Sequence, residues 1–390
     1  MRETATIIIL SLLLTNCSLT PNSSNPNIGE RLEIVEVNQL VNSKEDGINL
    51  VEKNLSGLEL INMDLSMGLM TSAYMYDVDL SSSNLQGADL SGSDLSYATL
   101  HNVNFRNANL SGANLSFADI KNSNFTGANL SNTVLENAEV FRTVFKKVDL
   151  TNSNMQYAII TESVFELAKM ASIDFSNASI DNSDFKHADL SYAIFGDVRV
   201  TFGKFKGATL TNSNLTETQF LSSSFEDANL SYAMAHEVNF EKTNLKGAIL
   251  KNADLSNGEF TKTNFAEADL SSSSFHEGEF NDVSFNQANL NSANFDKTVM
   301  HKASMVDANM TNLRITESDL SESNMFKSNL TSANLSNTDL YGANLQGANI
   351  NRTDFTDANV DLTNFVLVKN IDTAIGLKSA RNIDNATFSR

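Results

Sequence analysis

The side chains able to do chemistry in this 390-residue chain are five histidines, one cysteine, and 47 acidic residues set against 27 basic ones. A metal centre needs ligands converging within about 2 Å of one ion, and covalent catalysis needs a nucleophile with a base beside it. No such grouping is visible along the chain: His101, His187, His236, His276 and His301 are all at least 25 residues apart. There is no Gly-rich phosphate loop, no Ser/His/Asp or Cys/His arrangement and no catalytic carboxylate pair. The single cysteine, Cys17, excludes an intramolecular disulfide.

Any site must be positioned by a repeat of five residues. At every position divisible by five from Leu50 to Phe365, 63 of 64 residues are Leu, Phe, Met, Ile or Val; the exception is Ala235, and no insertion shifts the register. Two residues earlier, 52 of the 64 positions hold Ala, Gly, Ser or Thr, as in Ala88-Asp89-Leu90, Ala113-Asn114-Leu115 and Ser183-Asp184-Phe185. A period of five suits neither a helix, at about 3.6 residues per turn, nor a straight strand, at two. Small and large residues two apart share one face of a short extended segment. That face must be the inside; the other three residues meet solvent and turn a corner. Both prolines, Pro21 and Pro26, precede the repeat, so a parallel ladder along it loses no donor to proline. A self-similar chain is one stacked object, and its length counts repeats rather than domains.

The number of sides follows from which residues recur. The 19 central Phe residues do not spread evenly over columns spaced 20 apart: the column from Phe105 through Phe125, Phe145 and Phe165 holds 10, whereas the one through Leu90, Leu110 and Leu130 holds none. The small residue ahead of the Leu column is mostly Ala and that ahead of the Phe column mostly Ser or Thr. A coil of four sides and 20 residues is the reading, about 16 coils in all, with a rise of roughly 4.8 Å each.

The A-(D/N)-L-x-x blocks resemble those of the pentapeptide-repeat family. That resemblance implies an all-β, right-handed quadrilateral parallel β-helix (a β-solenoid). Some members are acidic rods that mimic duplex DNA and protect gyrase, and the net charge of −20 fits such a role. Against it, 18 of the 47 acids occupy the fourth place of a block, where Asn is commoner; they are expected to serve corner hydrogen bonding and solubility. No nucleic acid partner is expected. The insertion-free repeat also leaves little material for the cleft of a carbohydrate-active β-helix, which stands as a third reading.

On a four-sided coil, outward residues 20 apart align. Asp197, Glu217, Glu237 and Glu277 form an acidic column interrupted by Asn257, suited to a divalent cation or a basic partner. Tyr97, Phe117 and Tyr157, with Asn137 between the last two, are read as another column, a contact surface for protein or glycan. Lys242, Lys262 and Lys302 form a basic column elsewhere. His236 and His276 fall two coils apart, roughly 9.6 Å, so the histidines are read as solvated; no metal and no other cofactor is expected.

Ahead of the repeat, Arg2 is followed by an apolar run from Ala5 to Leu14 and then Leu14-Thr15-Asn16-Cys17. This run is too short to span a bilayer as a helix and reads as a secretory leader. It resembles the lipobox of bacterial lipoproteins, which implies cleavage before Cys17 and its lipidation, although Asn16 and Glu3 depart from the usual pattern. Residues 17–27, rich in Ser, Asn and Pro, read as a lipidated tether. Ser18 after the cysteine, in place of an aspartate, favours the outer over the inner membrane. The expected layout is a signal peptide over 1–16, tether 17–27, an N-terminal cap over 28–49 of short strand or helix, the β-helix over 50–365 and a C-terminal cap over 366–390 with a short helix after Asp372. The expected function is that of a non-enzymatic, lipid-anchored envelope rod serving as a binding or scaffolding surface, its partner unnamed and its oligomeric state open.

Overall fold

The computed structural model describes residues 29–43 and 47–388; the leader, Cys17 and the tether lie outside the described residues. The architecture is a parallel β-solenoid whose bridge partners are 20 residues apart on every side, from Asn49↔Leu69 to Asn344↔Asn364. All 64 central residues from Leu50 to Phe365 are buried, as the period demanded.

Where Asn or Asp precedes the central residue, the pentapeptide satisfies all five of its amides, and residues 90–94 show how. In 90–94, Leu90 N donates to Asn109 O at 2.7 Å and Gly92 N to Ser111 O at 2.9 Å, both on the coil that follows. Asp94 N donates back to Ala73 O at 3.0 Å, and Ser93 N closes a tight turn on Leu90 O at 3.1 Å. The fifth amide, Ser91 N, is taken by the Asp89 side chain at 3.0 Å. Unpaired amides are costly, so the place just before the central residue favours a short acceptor, and 38 of the 64 blocks carry Asn or Asp there. Asn adds a donor: Asn109 Nδ2 reaches Asp89 Oδ1 at 3.0 Å and Asn129 Nδ2 reaches Asn109 Oδ1 at 3.1 Å, tying successive coils.

The corner imposes a second rule. The second residue after each central one has positive φ in all 64 blocks, from Glu52 at 56° to Leu367 at 59°. In this left-handed region Gly and Asn are favoured and β-branched residues are strongly disfavoured. The sequence obeys: 14 of these positions are Asn, nine are Gly, and none is Val, Ile, Thr or Pro.

Inside, like stacks on like. From Phe105 to Phe225, rings 20 residues apart lie 4.5–4.9 Å apart with interplanar angles of 14° or less. Where the neighbouring column narrows to Ala235, the adjoining one carries Phe220 and Phe240, and Phe220 meets Phe225 edge-on at 4.9 Å. Gly258 makes room for the same Phe column, since a Cβ there would sit 2.6 Å from Phe260 Cζ.

One side is more extended than the others. Seven three-residue strands, β1 (Thr99–His101), β2 (Asp119–Lys121), β3 (Glu139–Phe141), β4 (Ile159–Thr161), β5 (Ser179–Asp181), β6 (Arg199–Thr201) and β7 (Gln219–Leu221), pair in parallel in that order. Their centres include Ile120, Val140, Ile160, Ile180 and Val200, and β-branched side chains favour extended backbone. Extension draws the next amide off the tight turn, and a hydroxyl from the following coil accepts it instead: Val103 N donates to Ser123 Oγ at 2.9 Å and Thr143 N to Ser163 Oγ at 3.2 Å. Ser123 Oγ in turn donates to Leu100 O at 2.7 Å. This explains why Ser and Thr precede the Phe column. Ser123→Ala therefore strands a buried amide and is expected to cost about 1–2 kcal/mol in a denaturant melt; Ser93→Ala, which leaves the Ser93 N–Leu90 O turn intact, is expected to cost less.

The ends are closed differently. At the first coil the helix α1 (Ile34–Ser43) buries Val37, and Leu32 N donates to Asn54 O at 3.0 Å. At the last, the side length grows by one residue per corner: bridge partners are Asn349↔Lys369, Asp354↔Ile375 and Asn359↔Arg381, then Phe365↔Phe388. The expected short helix after Asp372 is replaced by three single-turn 3-10 segments, Ile371–Thr373, Leu377–Ser379 and Ile383–Asn385, with Asp372 inside the first. The extra residue at each corner lets the coil spread over the one below. Strand β8 (Asn364–Phe365) pairs with β9 (Thr387–Phe388), and Phe388 stacks on Phe365 at 5.2 Å, extending the Phe column to the end of the rod.

Candidate functional site

The residues singled out by sequence fall on one corner of the square. Tyr97, Phe117, Tyr157, Asp197, Glu217, Glu237 and Glu277 differ by multiples of 20 and all hold the left-handed corner position. The expectation of two columns is corrected: aromatics and acids are successive stretches of a single edge, because both sets have the same remainder on division by 20. The left-handed conformation turns these side chains away from the core, which leaves Tyr97 and Phe117 each 48% exposed and Tyr157 51% exposed.

The aromatic stretch begins earlier than expected. Tyr74 stacks on Tyr76 at 6.2 Å, Tyr76 meets Tyr97 at 5.4 Å, and Tyr97 lies parallel to Phe117 at 4.8 Å. Tyr157 stands apart beyond Asn137. Because these rings cover one another's faces, they offer edges and hydroxyls to a partner rather than open flat platforms.

The acidic stretch is thinly paired. Among the described residues no Lys or Arg lies within ion-pair distance of Asp197 or Glu217, while Glu237 meets His236 at 3.1 Å and Glu277 meets His276 at 3.4 Å and Lys297 at 3.5 Å. The expected basic column is partly neutralised where it stands, Lys242 by Glu241 at 2.6 Å and Lys302 by Glu322 at 3.4 Å. His101 hydrogen-bonds Asp119 at 2.8 Å, and Lys121 reaches the same carboxylate at 2.7 Å. Burial pushes the Asp119 carboxyl up, but the Lys121 and His101 bonds outweigh it and hold it below the ordinary value. Among the described residues no three His, Cys, Asp or Glu side chains are grouped to hold a metal ion, and no helix is long and apolar enough to cross a membrane.

One functional-looking group was invisible in the sequence. Asp296, 6% exposed, is the most deeply buried ionisable residue among the described residues. Its Oδ1 accepts Thr316 N at 2.8 Å and Thr316 Oγ1 at 2.7 Å, and its Oδ2 accepts Arg314 Nε. The fourth place of that block is Arg314, which has no acceptor for the Thr316 amide, so the carboxylate arrives from the coil before. The role is architectural. Burial raises this carboxyl, yet the bonds from Arg314 and Thr316 bring it below its ordinary value. A depressed carboxyl stabilises the fold above its unfolded value near about 3.9 and loses that contribution as pH falls through the folded value. Asp296→Asn is therefore expected to melt at a lower temperature at neutral pH and to lose less on acidification below pH about 4 than the unaltered protein.

Seven segments among residues 168–365 and one at 73–112 match the family model described as pentapeptide repeats, and 98–175 matches that of a pentapeptide repeat region. The chain belongs to the pentapeptide-repeat family. Solved structures similar to this pentapeptide-repeat chain include HetL from a Nostoc cyanobacterium, involved in regulating heterocyst differentiation, at 23% identity over 62% of this chain and 96% of that one, with a TM-score of 0.27. QnrB1, a plasmid-mediated fluoroquinolone resistance protein, is similar at 14% identity over 54% of this chain and 92% of that one, with a TM-score of 0.31. A pentapeptide-repeat protein of the Arabidopsis thaliana thylakoid lumen reaches 31% identity over 27% of this chain and 70% of that one, with a TM-score of 0.16. A search of curated proteins gave no match.

Proposed function

We propose that this pentapeptide-repeat protein is a non-catalytic rod, held in the bacterial envelope by a lipid on Cys17, whose repeated surface binds or scaffolds a partner. The observation that carries the non-catalytic part is the run of 64 blocks without an insertion: every five residues are consumed by one side and one corner, and none is left over for a loop that walls a pocket. Support for the anchor comes from Cys17 closing the apolar run Ala5 to Leu14.

Metabolic labelling with palmitate and cell fractionation test the anchor. The wild-type chain is expected to take up label and sediment with membranes, and the outer membrane in particular; Cys17→Ser is expected to do neither. An unlabelled wild-type chain in the cytoplasm would defeat the reading and favour the runner-up, an acidic DNA mimic protecting an enzyme such as gyrase. The charge of −20 is what favours that runner-up. Its weakness is that Asp at the fourth place of a block is occupied with its own backbone, as Asp89 is with Ser91 N.

A further inference from the structure

One of the four sides, with its two flanking corners, comprises residues 72–77 and the equivalent six of each coil up to 272–277. Its composition is unlike that of the other three. It carries six of the seven tyrosines: Tyr74, Tyr76, Tyr97, Tyr157, Tyr192 and Tyr232. Tyr192 and Tyr232 are 61% and 56% exposed, with Ile194 and Met234 exposed beside them. Over the same 66 residues there are nine Asp or Glu and not one Lys or Arg, although the span 72–277 contains 14 basic residues. A random placement of 14 bases would put four or five on a third of the sequence, so this side is kept free of them.

Two physical features thus coincide over eleven coils, whose ten steps span roughly 48 Å. Exposed tyrosines supply large amphipathic contacts of the kind that anchor interfaces. Carboxylates that meet no Lys or Arg, apart from Glu277 beside Lys297 at the far end, set a field of one sign along the strip. By contrast, the opposite corner holds Lys146, Lys206 and Lys246, but each pairs with an acid of its own, Glu166, Glu226 and Glu267. An anionic ligand is repelled from the tyrosine side, and a neutral glycan has no use for nine carboxylates. An Arg- or Lys-rich chain gains Coulomb attraction along the strip and cation–π contact with Tyr157, Tyr192 and Tyr232, which lie outside the stacked rings from Tyr74 to Phe117.

We propose that the tyrosine side between Ser72 and Glu277 is the docking surface for an extended cationic polypeptide segment. This rests on the reading of the rod as a binding surface, and is independent of the lipid anchor. Its outward residues repeat at coil spacing, which suits a partner lying lengthwise along it. The Arg and Lys side chains of that partner reach the corner acids, and its stems pack against Tyr97, Tyr157, Tyr192 and Tyr232.

The test uses the full-length chain, in detergent where lipidated, and a fluorescent arginine-rich peptide of about 20 residues at about 0.15 M salt. Because any acidic protein attracts such a peptide, equal charge changes at two places are compared. Glu217→Gln with Glu237→Gln, on the tyrosine side, is expected to weaken binding roughly tenfold. Asp282→Asn with Asp307→Asn, on other corners, is expected to weaken it less than about twofold. Tyr97→Ser with Tyr157→Ser, which leaves the net charge unchanged and places serine where other corners already have it, is expected to weaken binding about fivefold. Melting curves for each variant show that it remains folded.

Equal losses from both acid pairs, or no loss from the tyrosine pair, would overturn the proposal and reduce the effect to general attraction. Self-association that the tyrosine-side variants abolish, without peptide binding, would overturn it in favour of a second copy as occupant. Cys17→Ser is expected to leave peptide binding unchanged, so a failed anchor and a failed docking side give different results.

Discussion

Phe165→Ala is expected to lower the stability of the rod by about 3–5 kcal/mol. The Phe165 ring is fully buried and lies 4.8 Å from Phe145 on one side and 4.8 Å from Phe185 on the other, with interplanar angles of 3° and 2°. Truncation removes two stacking partners at once and opens a cavity that the rigid coils above and below cannot close, since both are pinned by interturn hydrogen bonds. Because a solenoid is held together only by nearest-neighbour contacts, a weak link in the middle also threatens cooperativity, and a broadened or two-step denaturant curve is an expected sign of it. Phe365→Ala, near the end of the same column, is expected to cost less, since the coil above it is a single widened turn that can settle. A loss below about 1 kcal/mol at Phe165 would contradict the view that the ring column carries the core.

The second large effect is expected where nothing is buried. Asn212 is an exposed corner residue with φ of 57°. Asn212→Val is expected to destabilise by roughly 1–3 kcal/mol, because a β-branched residue is strained in the left-handed region. Asn212→Gly is expected to stay within about 0.5 kcal/mol of the starting protein, its freedom in this region offsetting its greater chain entropy. The comparison isolates backbone strain, as neither change touches the core. Equal stability of the Val and Gly variants, measured by denaturant titration, would show that the corner conformation is not obligatory.

Both results bear on what can be read from a repeat. The five-residue period predicted every inward position, and the uneven distribution of Phe predicted four sides. Other rules were present in the letters and not read. The absence of Val, Ile, Thr and Pro from the second place after each central residue marks the left-handed corner, but it becomes meaningful only when one asks which backbone angle would exclude all four. The Ser and Thr residues ahead of the Phe column are plain in the sequence, while their purpose as acceptors for amides such as Val103 N follows only from the extended side. On the surface, runs of one residue type separate Tyr97 and Glu217 into different columns though they share an edge, and the tyrosine side is marked by an absence, the Lys and Arg residues missing between its aromatics and acids.

The sequence alone determined the coil: side length, number of sides, the identity of the core and the family, because a strict period leaves one packing that buries every fifth side chain. Only the tertiary structure decided how each coil satisfies its amides, how the last coil widens one residue at a time through Gly376, whose added Cβ would lie 2.6 Å from Thr356 N, and where Asp296 must substitute for a missing acceptor. Those outcomes depend on contacts between residues 18 to 24 apart, and such contacts exist only once one coil lies on another.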